Sequence, residues 1–478
     1  MPADAVAPRL LARTGAGHAR ADRAVHVLAQ LGEATSLRVT GAGADRAGLR
    51  RLAQAYGIES RLRLGGPVTA SNGEITVDAP CPSAQRTCMA QLVHRVDQGA
   101  DAHAPPRGDD GLLAGLRIVF VTNRPAHYRV ALLNRLHDRL DAVQAELCVL
   151  FTAARPWSRG WMKPESMRFE HHFLRSIRVG LPSDLPLDLE RRLLRPPADI
   201  VLIGTFSPLI AGRAALLCAT RRMPLGIVSG EIPWQDTAQG GLRRAQRLAV
   251  MRGISFAITY GHASAEYLQA MVAELPLVYG RNATPILDEP AARRSRPEQL
   301  EILAVGQAIH RKGLDIAVDA MAQVEDLPCR LTVVGGGEDL AALVRRAGGR
   351  GNVRFSGAVP SDEVLDAYRA ADLFLFPTRS DIFGLVLVEA MGAGLPTIAS
   401  TAAGAIADLA VPDENCVLVE GEDPAAWAQA IRELVDDPER RALLGDAARR
   451  TVVRRWTLAH ETDAWMAGLR LGVLTARQ

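Results

Sequence analysis

Two acidic residues, Asp381 and Glu389, lie eight positions apart in the segment SDIFGLVLVEAMGAGLP (380–396). The apolar spacing after Phe383 and Gly384 predicts a helix that begins at these residues and stops before Pro396. Asp381 then lies at the positive end of the helix dipole, and Glu389 lies roughly two turns in. An unpaired buried carboxylate is costly, so Glu389 needs donors from ligand hydroxyls, water or backbone amides. A capping acid followed by a core-bonded glutamate is the structural alternative.

A second candidate segment, AVGQAIHRKGLD (304–315), carries several cations. A predicted strand ends at Gly306, and the following loop presents Gln307, Arg311 and Lys312 before a helix begins near Gly313. Cations at a strand-to-helix loop, supported by a helix N-terminus, suit a diphosphate. A solvated basic turn is the alternative. Lysine is rare in this arginine-rich chain, and a compact ammonium differs from a guanidinium, which favours a functional role.

A third candidate segment, VVGGGED (333–339), contains Gly335 and Gly336 directly after a predicted strand. Glycines at this position allow the backbone to approach a ligand closely. The segment does not match GxGxxG, and many strand-to-helix turns are rich in glycine. It therefore supports a binding site only together with the other two segments.

Two series of alternating strands and helices must position these residues. Strands that are apolar on both faces indicate parallel sheets covered by helices, with ligands at the carboxyl ends of the strands. A change in composition at 287–299 predicts a linker between two doubly wound α/β domains that face a cleft. The predicted units are an acceptor-side domain (113–290), a donor-binding domain (291–453) and a C-terminal helix that packs back across the domains (454–478).

The N-terminal residues show an internal repeat. SLRVTGAGADRAGLRRLA (36–53) aligns without gaps on RLTVVGGGEDLAALVRRA (330–347). We therefore predict that residues 1–105 form an α/β appendage, a degenerate partial copy of the donor domain followed by a linker. Nothing in this appendage matches 380–396, so a second active site is not expected there.

Composition excludes several classes of protein. The chain is 48% hydrophobic and 23% charged with a net charge of +3, which gives no indication of a nucleic-acid partner. Its six scattered cysteines form no CxxC pair, so neither a zinc site nor a disulfide framework is indicated. No apolar run is long enough to span a bilayer. We expect a cytoplasmic protein, with peripheral contact at the inner face of the membrane through Arg243, Arg244 and Arg247 as an alternative to a solvated basic face.

The three segments together carry a family resemblance. VGQAIHRKGLD, VRFSGAVPSDEVLDAYRAADLFLFPT and SDIFGLVLVEAMGAGLPTIAS resemble the family 4 glycosyltransferases, which have the GT-B fold, retain anomeric configuration and use nucleotide sugars. TNRPAHYRVALLNRL resembles that family's first strand, loop and helix. The resemblance covers about residues 116–470. It implies transfer of a hexose-type sugar from a nucleoside-diphosphate sugar to a glycan, lipid-linked or small-molecule acceptor.

The resemblance also implies roles for individual residues. Glu389 matches the acid that binds the ribose hydroxyls, Asp381 matches the acid beside the transferred sugar, and Lys312 matches the lysine that neutralises the diphosphate; these are the implied catalytic residues. Two departures from the family pattern are Asp381, where glutamate is usual, and Gln307, where arginine is usual. Arg311 is the candidate to replace that arginine. The full implied donor site is Gly306, Gln307, Arg311, Lys312, Gly335, Gly336, Glu389 and the backbone amides of Phe383, Gly384 and Leu385.

The implied mechanism needs no cofactor, because the nucleotide sugar is a substrate and no Asp-x-Asp motif indicates a metal. Family analogy implies front-face attack by the acceptor hydroxyl, with a donor phosphate oxygen as proton acceptor. Two alternatives remain open, a phosphorylase or epimerase of the same fold, and a catalytically weak sugar-nucleotide-binding or regulatory protein. Candidate acceptor contacts, each equally open to a structural role, are Asn123, Tyr128, Arg129, Thr205, Ser207 and Glu231.

Overall fold

The structure is a computed structural model, and it describes only part of the chain. The described residues are 9–13, 36–40, 53–55, 62–64, 74–78, 109–152, 166–177, 185–232, 240–285 and 298–476. Predictions that concern the linkers at 100–111 and 287–299 fall largely outside these ranges.

A small N-terminal sheet has four strands in the order β1-β4-β2-β3. β2 and β3 run parallel, whereas β4 lies between β1 and β2 and is antiparallel to both. The strands are β1 (Arg9–Arg13), β2 (Ser36–Thr40), β3 (Leu62–Leu64) and β4 (Glu74–Asp78).

The first large sheet has seven strands in the order β13-β12-β11-β10-β5-β6-β7, and all neighbours are parallel. Its central strands are buried on both faces because helices cover both sides of the sheet. The strands are β5 (Arg117–Thr122), β6 (Glu146–Phe151), β7 (Glu170–Phe173), β10 (Ile200–Ile203), β11 (Leu225–Ser229), β12 (Phe256–Tyr260) and β13 (Leu277–Gly280), with a separate hairpin of β8 (Ser176–Ile177) and β9 (Leu185–Pro186). The helices are α1 (His127–Asp141), α2 (Leu189–Leu194), α3 (Arg213–Arg221), α4 (Gly240–Met251) and α5 (Gly261–Met271).

The second large sheet has six parallel strands in the order β16-β15-β14-β17-β18-β19. The strand order reverses between β14 and β17, so the loops after these two strands diverge from a common point at the carboxyl edge. The strands are β14 (Leu300–Val305), β15 (Cys329–Val334), β16 (Val353–Gly357), β17 (Leu373–Phe376), β18 (Thr397–Ser400) and β19 (Val417–Val419). The helices are α6 (Leu314–Met321), α7 (Leu340–Ala347), α8 (Ser361–Ala370), α9 (Leu385–Gly392), α10 (Ile406–Leu409), α11 (Pro424–Asp436) and α12 (Pro438–Arg455).

The predicted C-terminal helical segment is interrupted at Trp456, after which α13 (Leu458–Ala476) packs on the first large sheet. Trp465 meets the edge of Phe120, with ring centroids 5.2 Å apart. A Cβ at Gly468 would lie 2.4 Å from Ile258, so the close approach of α13 to β12 requires glycine at position 468. The chain thus crosses back from the second sheet to the first. None of the described helices is long and apolar enough to cross a membrane.

The N-terminal sheet and the second large sheet share a strand register. Leu37 in β2 pairs with Leu62 in β3, and their aligned counterparts Leu331 and Val353 pair in the same way in β15 and β16. The inserted antiparallel strand β4 has no equivalent beside β15, which pairs in parallel with β14 and β16. The resemblance between the two sheets is therefore local to one strand pair.

Candidate functional site

Two loops at the carboxyl edge of the second sheet are joined backbone to backbone. The loop after β14 contains a 3-10 turn, His310–Lys312, and ends at Gly313 with φ +64°. A Cβ at Gly313 would lie 1.9 Å from the carbonyl oxygen of Pro377 in the loop after β17, so only glycine fits there. The carbonyl oxygen of Arg311 accepts from the Arg379 amide at 2.9 Å. This contact holds the lysine-bearing loop against the aspartate-bearing loop.

Arg379, which was not among the predicted residues, strengthens this junction. Its guanidinium makes two hydrogen bonds, of 2.7 and 2.8 Å, to the two carboxylate oxygens of Asp315, and a third of 2.7 Å to Glu422. The hydrogen bonds from Arg379 lower the pKa of Asp315. Nothing in the sequence distinguishes Arg379 from the many surface arginines, because its partners lie 64 and 43 positions away.

Lys312 and Asp381 form an ion pair at this junction. The Lys312 ammonium donates to Asp381 Oδ2, and Arg311 Nη1 lies 3.7 Å from Oδ1. Arg311 also donates to the carbonyl oxygen of Ser380 at 2.6 Å. Asp381 is buried, while Arg311 remains more exposed. The cluster carries two cations and one anion, so one positive charge is left for an anionic ligand.

Glu389 faces two hydroxyl donors. Thr284, from the segment after β13, donates to one carboxylate oxygen at 3.1 Å, and Tyr368, in α8, donates to the other at 3.0 Å. Burial raises the pKa of Glu389 to about 7, against a smaller opposing effect of the two hydroxyls. The sequence predicted that Glu389 needs donors but gave no reason to select Thr284, which is 105 positions away.

The glycine run after β15 is required by packing between loops. Gly335 has φ +142°, and a Cβ there would lie 1.8 Å from the carbonyl oxygen of Gly306. A Cβ at Gly337 would lie 2.3 Å from the carbonyl oxygen of Ala308, whose amide donates to Gly336 at 3.0 Å. These glycines bring two loop backbones into contact. That Gly335 and Gly336 touch a ligand remains a prediction.

α9 begins at Leu385, directly after Gly384, which has φ +101°. A Cβ at Gly384 would lie 2.8 Å from the Phe376 ring, so glycine is needed for both conformation and space. Phe383 is buried, and its ring stacks on that of Trp456 with the ring centroids 6.5 Å apart. The first amides of a helix lack carbonyl partners within it, so the α9 N-terminus offers donors beside Asp381.

Of the predicted acceptor residues, Asn123, Thr205, Ser207 and Glu231 lie on loops at the carboxyl edge of the first sheet, whereas Tyr128 and Arg129, which were predicted to lie in a loop, lie in the first turn of α1. Asn123 is exposed after β5. The Thr205 hydroxyl accepts from the Ser207 amide at 3.1 Å and so stabilises its own turn. Glu231, after β11, pairs with Arg247 at 3.2 Å.

The basic face predicted on α4 consists of Arg243, Arg244 and Arg247, and the side chain of Arg243 lies outside the described residues. Arg247 is buried, and it donates to Tyr267 at 2.6 Å as well as to Glu231. The expectation that Arg247 belongs to a solvated or lipid-facing surface is therefore wrong, because its helix face is turned into the domain. Arg244 on the same helix is exposed.

The two edges meet at Gly230 and Ile382. A Cβ at Gly230 would lie 2.8 Å from Ile382 Cγ2, in the loop that carries Asp381, and 2.4 Å from Tyr260 Cδ2. The His262 amide, at the start of α5, donates to the Asp408 carboxylate at 3.1 Å. The loop with Asp381 therefore faces the first sheet directly, and a ligand on this loop is within reach of both domains.

Comparison with known proteins agrees with this architecture. The family described as "Glycosyl transferases group 1" matches residues 287–451. D-inositol 3-phosphate glycosyltransferase 1 of Catenulispora acidiphila is 31% identical over 300 residues, which cover 56% of this chain and 69% of that protein. The D-inositol 3-phosphate glycosyltransferase of Xylanimonas cellulosilytica is 36% identical over 181 residues, 34% of this chain and only 42% of that protein.

Solved structures show the same fold. Sucrose-phosphate synthase from Thermosynechococcus elongatus superimposes with a TM-score of 0.59 at 19% identity, covering 73% of this chain and 96% of that one. Anabaena HepE in complex with UDP-glucose gives 0.59 at 18% identity, covering 74% and 98%.

Two facing parallel sheets with a charged cleft edge define an α/β protein of the GT-B fold. The chain belongs to the group 1 glycosyl transferases.

Proposed function

We propose that this protein is a retaining glycosyltransferase that transfers a hexose-type sugar from a nucleoside-diphosphate sugar to an acceptor hydroxyl. The observation that carries the proposal is the pairing of Glu389 with two hydroxyl donors on the same cleft edge as the Lys312–Asp381 cluster. One end of this edge suits a neutral diol and the other suits an anion. A nucleoside-diphosphate sugar presents both groups.

The nucleoside binds at Glu389 in this proposal. Thr284 and Tyr368 each occupy one oxygen of the carboxylate, and each oxygen keeps a further lone pair for a ribose hydroxyl. Hydroxyl donors favour the ionised form, so ribose binding opposes the burial that raises the pKa of Glu389. Nucleotide binding and ionisation of Glu389 are therefore coupled.

The diphosphate binds at Lys312, Arg311 and the first amides of α9. These groups stabilise the negative charge that develops as the bond between the anomeric carbon and the diphosphate oxygen breaks. The acceptor oxygen forms the new bond on the same face of the sugar, and its proton passes to a diphosphate oxygen. Asp381 holds the Lys312 ammonium and lies beside the transferred sugar.

The relatives support a sugar-nucleotide donor and give a first guide to the acceptor. HepE has been captured with UDP-glucose, and the curated relatives are named for transfer to D-inositol 3-phosphate. We place the reaction in the cytoplasm, which agrees with the free, buried state of the described cysteines Cys148, Cys218, Cys329 and Cys416.

We further propose that residues 1–105 are a degenerate copy of the donor domain. The shared register of β2–β3 and β15–β16 supports a common origin. Ala53 and Ala55 are buried in the same hydrophobic cluster as Trp465 of α13, and the Ala55 carbonyl accepts from Arg470 of α13 at 2.6 Å. A structural role in covering α13 follows from these contacts.

A sugar-nucleotide-binding protein with weak catalysis is the second candidate. It is favoured by the ion pair between Lys312 and Asp381, because Asp381 competes with an incoming diphosphate for the Lys312 ammonium. Gln307 also favours weak catalysis, because it stands where the family usually has an arginine and leaves the diphosphate site with one positive charge fewer.

The experiment is a thermal-shift and donor-hydrolysis screen of the full chain against UDP, GDP and ADP sugars and the free nucleotides. Stabilisation by one nucleotide series, abolished by Glu389→Ala and weakened by Lys312→Ala, supports the site. Glu363→Ala, on the exposed face of α8, is the matched control and should respond like wild type. The absence of a response to every nucleotide would refute the site, and binding without turnover would favour the second candidate. The anomeric configuration of the product, read by NMR, tests retention.

A further inference from the structure

The guanidinium of Arg379, in the loop after β17, is held entirely by groups of the protein. Nη1 donates to Asp315 Oδ1 at 2.7 Å and to the carbonyl oxygen of His310 at 2.8 Å, while Nη2 donates to Asp315 Oδ2 at 2.8 Å. Nε donates to Glu422 at 2.7 Å. These bonds use all but one of the N–H donors of a guanidinium, and two carboxylates balance its charge. Arg379 therefore has little to offer a ligand directly.

The groups that Arg379 holds flank Lys312 on both sides in the chain. His310 opens the 3-10 turn that contains Lys312, and Asp315 lies in the first turn of α6 just after it. The backbone amide of Arg379 also donates to the carbonyl oxygen of Arg311, at 2.9 Å. The course of the backbone through Lys312 is therefore fixed before and after this residue by one arginine.

The two cations of the transfer site extend from this turn. The Lys312 ammonium reaches Asp381, and Arg311 donates to the carbonyl oxygen of Ser380 at 2.6 Å. Small movements of the turn matter for both, because a misplacement of about 1 Å can cost a reaction roughly 100-fold. Release of the turn would leave both cations present but no longer directed at the same point.

A second arginine of the same domain makes a matched set of contacts far from the site. Arg432 in α11 donates to the two carboxylate oxygens of Asp326 at 2.7 and 3.0 Å, and to the carbonyl oxygen of Gln323 at 3.3 Å. Asp326 comes just before β15, which begins at Cys329, so this pair lies at the amino edge of the second sheet. The same fork on a carboxylate and a carbonyl thus occurs at both edges of one sheet, and only one of them lies beside Lys312.

We propose that Arg379 is a positioning residue, which fixes the turn so that Lys312 and Arg311 meet the diphosphate of the donor. The inference rests on the proposed glycosyl transfer, and it adds a residue that acts on the donor only through other residues. The planar fork is needed as well as the charge. An ammonium cannot reproduce the paired bonds to Asp315 together with those to His310 and Glu422.

The test measures how much the diphosphate adds to binding of the nucleoside. Affinities of the full chain for uridine and UDP, guanosine and GDP, and adenosine and ADP are measured by calorimetry, and the ratio within the pair that binds is the diphosphate preference. The variants are Arg379→Met, Arg379→Lys and the double variant Arg379→Met with Asp315→Asn, and the matched control is Arg432→Met. The nucleoside reports on the Glu389 end of the site, so a general loss of structure would weaken both members of a pair.

We expect Arg379→Met to lower the diphosphate preference by about tenfold or more, as loss of a charge-assisted hydrogen bond does, without a change in nucleoside affinity. Arg379→Lys should lose most of the preference as well, because it keeps the charge without the fork. The double variant should lose no less than Arg379→Met, and Arg432→Met should keep the wild-type ratio.

A wild-type ratio in Arg379→Met overturns the proposal, and so does an equal fall in its affinity for the nucleoside and the nucleoside diphosphate. Recovery of the ratio in the double variant also overturns it, since Arg379 would then serve only to neutralise Asp315. A loss in Arg432→Met as large as that in Arg379→Met would assign the effect to general stability. If Arg379→Met does not fold, a wild-type ratio in Arg379→Lys overturns the proposal in its place. Failure of the proposed function is read from wild type instead, as the absence of any diphosphate preference.

Discussion

Replacement of Glu389 by glutamine should stabilise the protein at high pH while it weakens nucleotide binding. Burial raises the pKa of Glu389 from 4.5 to about 7, so the folded protein resists the ionisation that the unfolded chain undergoes freely. Glutamine is neutral and nearly isosteric. Its carbonyl oxygen accepts from Thr284, and its amide donates to the Tyr368 hydroxyl, so both existing contacts are retained.

The sign and size of the effect follow from the two pKa values. Below 4.5 the carboxyl is protonated in both states and has no effect on the free energy of unfolding. Between 4.5 and about 7 only the unfolded chain ionises, so wild type loses stability, and above about 7 the loss is constant. At 1.36 kcal/mol per pKa unit the loss reaches about 3 kcal/mol. Glu389 is not fully buried, so water relieves part of the loss and this figure is an upper limit.

The assay is thermal unfolding of Glu389→Gln and wild type across ~pH 5 to ~pH 9, with Glu363→Gln as the exposed control. The variant should gain up to roughly 6–12 °C at the alkaline end, at about 2–4 °C per kcal/mol for a domain of this size. The transition to follow is the one that a nucleotide shifts, because a chain of this length does not unfold in a single step. Nucleotide affinity should fall by about 10- to 100-fold, as expected for loss of charge-assisted hydrogen bonds.

Two results would refute this reasoning. If Glu389→Gln is no more stable than Glu363→Gln at alkaline pH, burial of the ionised Glu389 carboxylate does not lower the free energy of unfolding. If the gain persists undiminished at ~pH 5, it comes from packing rather than ionisation.

Three further predictions follow from the same contacts. Tyr368→Phe removes a hydroxyl donor that favours the ionised carboxylate, so the pKa of Glu389 should rise. The pH midpoint of nucleotide binding, measured by calorimetry, should then move upward, and an unchanged midpoint would contradict the contact. Gly313→Ala should lose nucleotide-induced stabilisation, because its Cβ would lie 1.9 Å from the Pro377 carbonyl oxygen; a wild-type thermal shift would show that the two loops can separate harmlessly. A chain that begins at Asp109 should keep the nucleotide response but unfold at lower temperature in calorimetry, because α13 loses the cover of the N-terminal segment; an unchanged unfolding temperature would exclude that cover.

The Lys312–Asp381 pair shows how one methylene affects the site. Aspartate, shorter than the usual glutamate, is held directly by the lysine, with Arg311 at 3.7 Å on its other oxygen. Arg311 thus lies in the cluster, where it can contribute the positive charge that Gln307 lacks. The direction of this side chain could not be obtained from the sequence, because it depends on how the 3-10 turn His310–Lys312 is oriented by the neighbouring loop.

The local features of this protein could be predicted from its amino-acid sequence. Runs of apolar residues on both faces gave the parallel strands, and the helix predicted to start near Gly384 begins at Leu385. These features depend on residues within a few positions of one another, where periodicity and glycine conformation act directly. The Arg247 prediction was wrong for the complementary reason, since helix spacing does not say which face the rest of the domain covers.

Which side chains come into contact depends on how distant segments of the chain pack together. Thr284 reaches Glu389 across 105 positions, and Arg379 joins Asp315 across 64, with no signal in either local sequence. Pairing of charges and burial of carboxylates depend on distances of a few ångströms between distant segments. Those distances, and the pKa of Glu389 that results from them, exist only after the two sheets have packed.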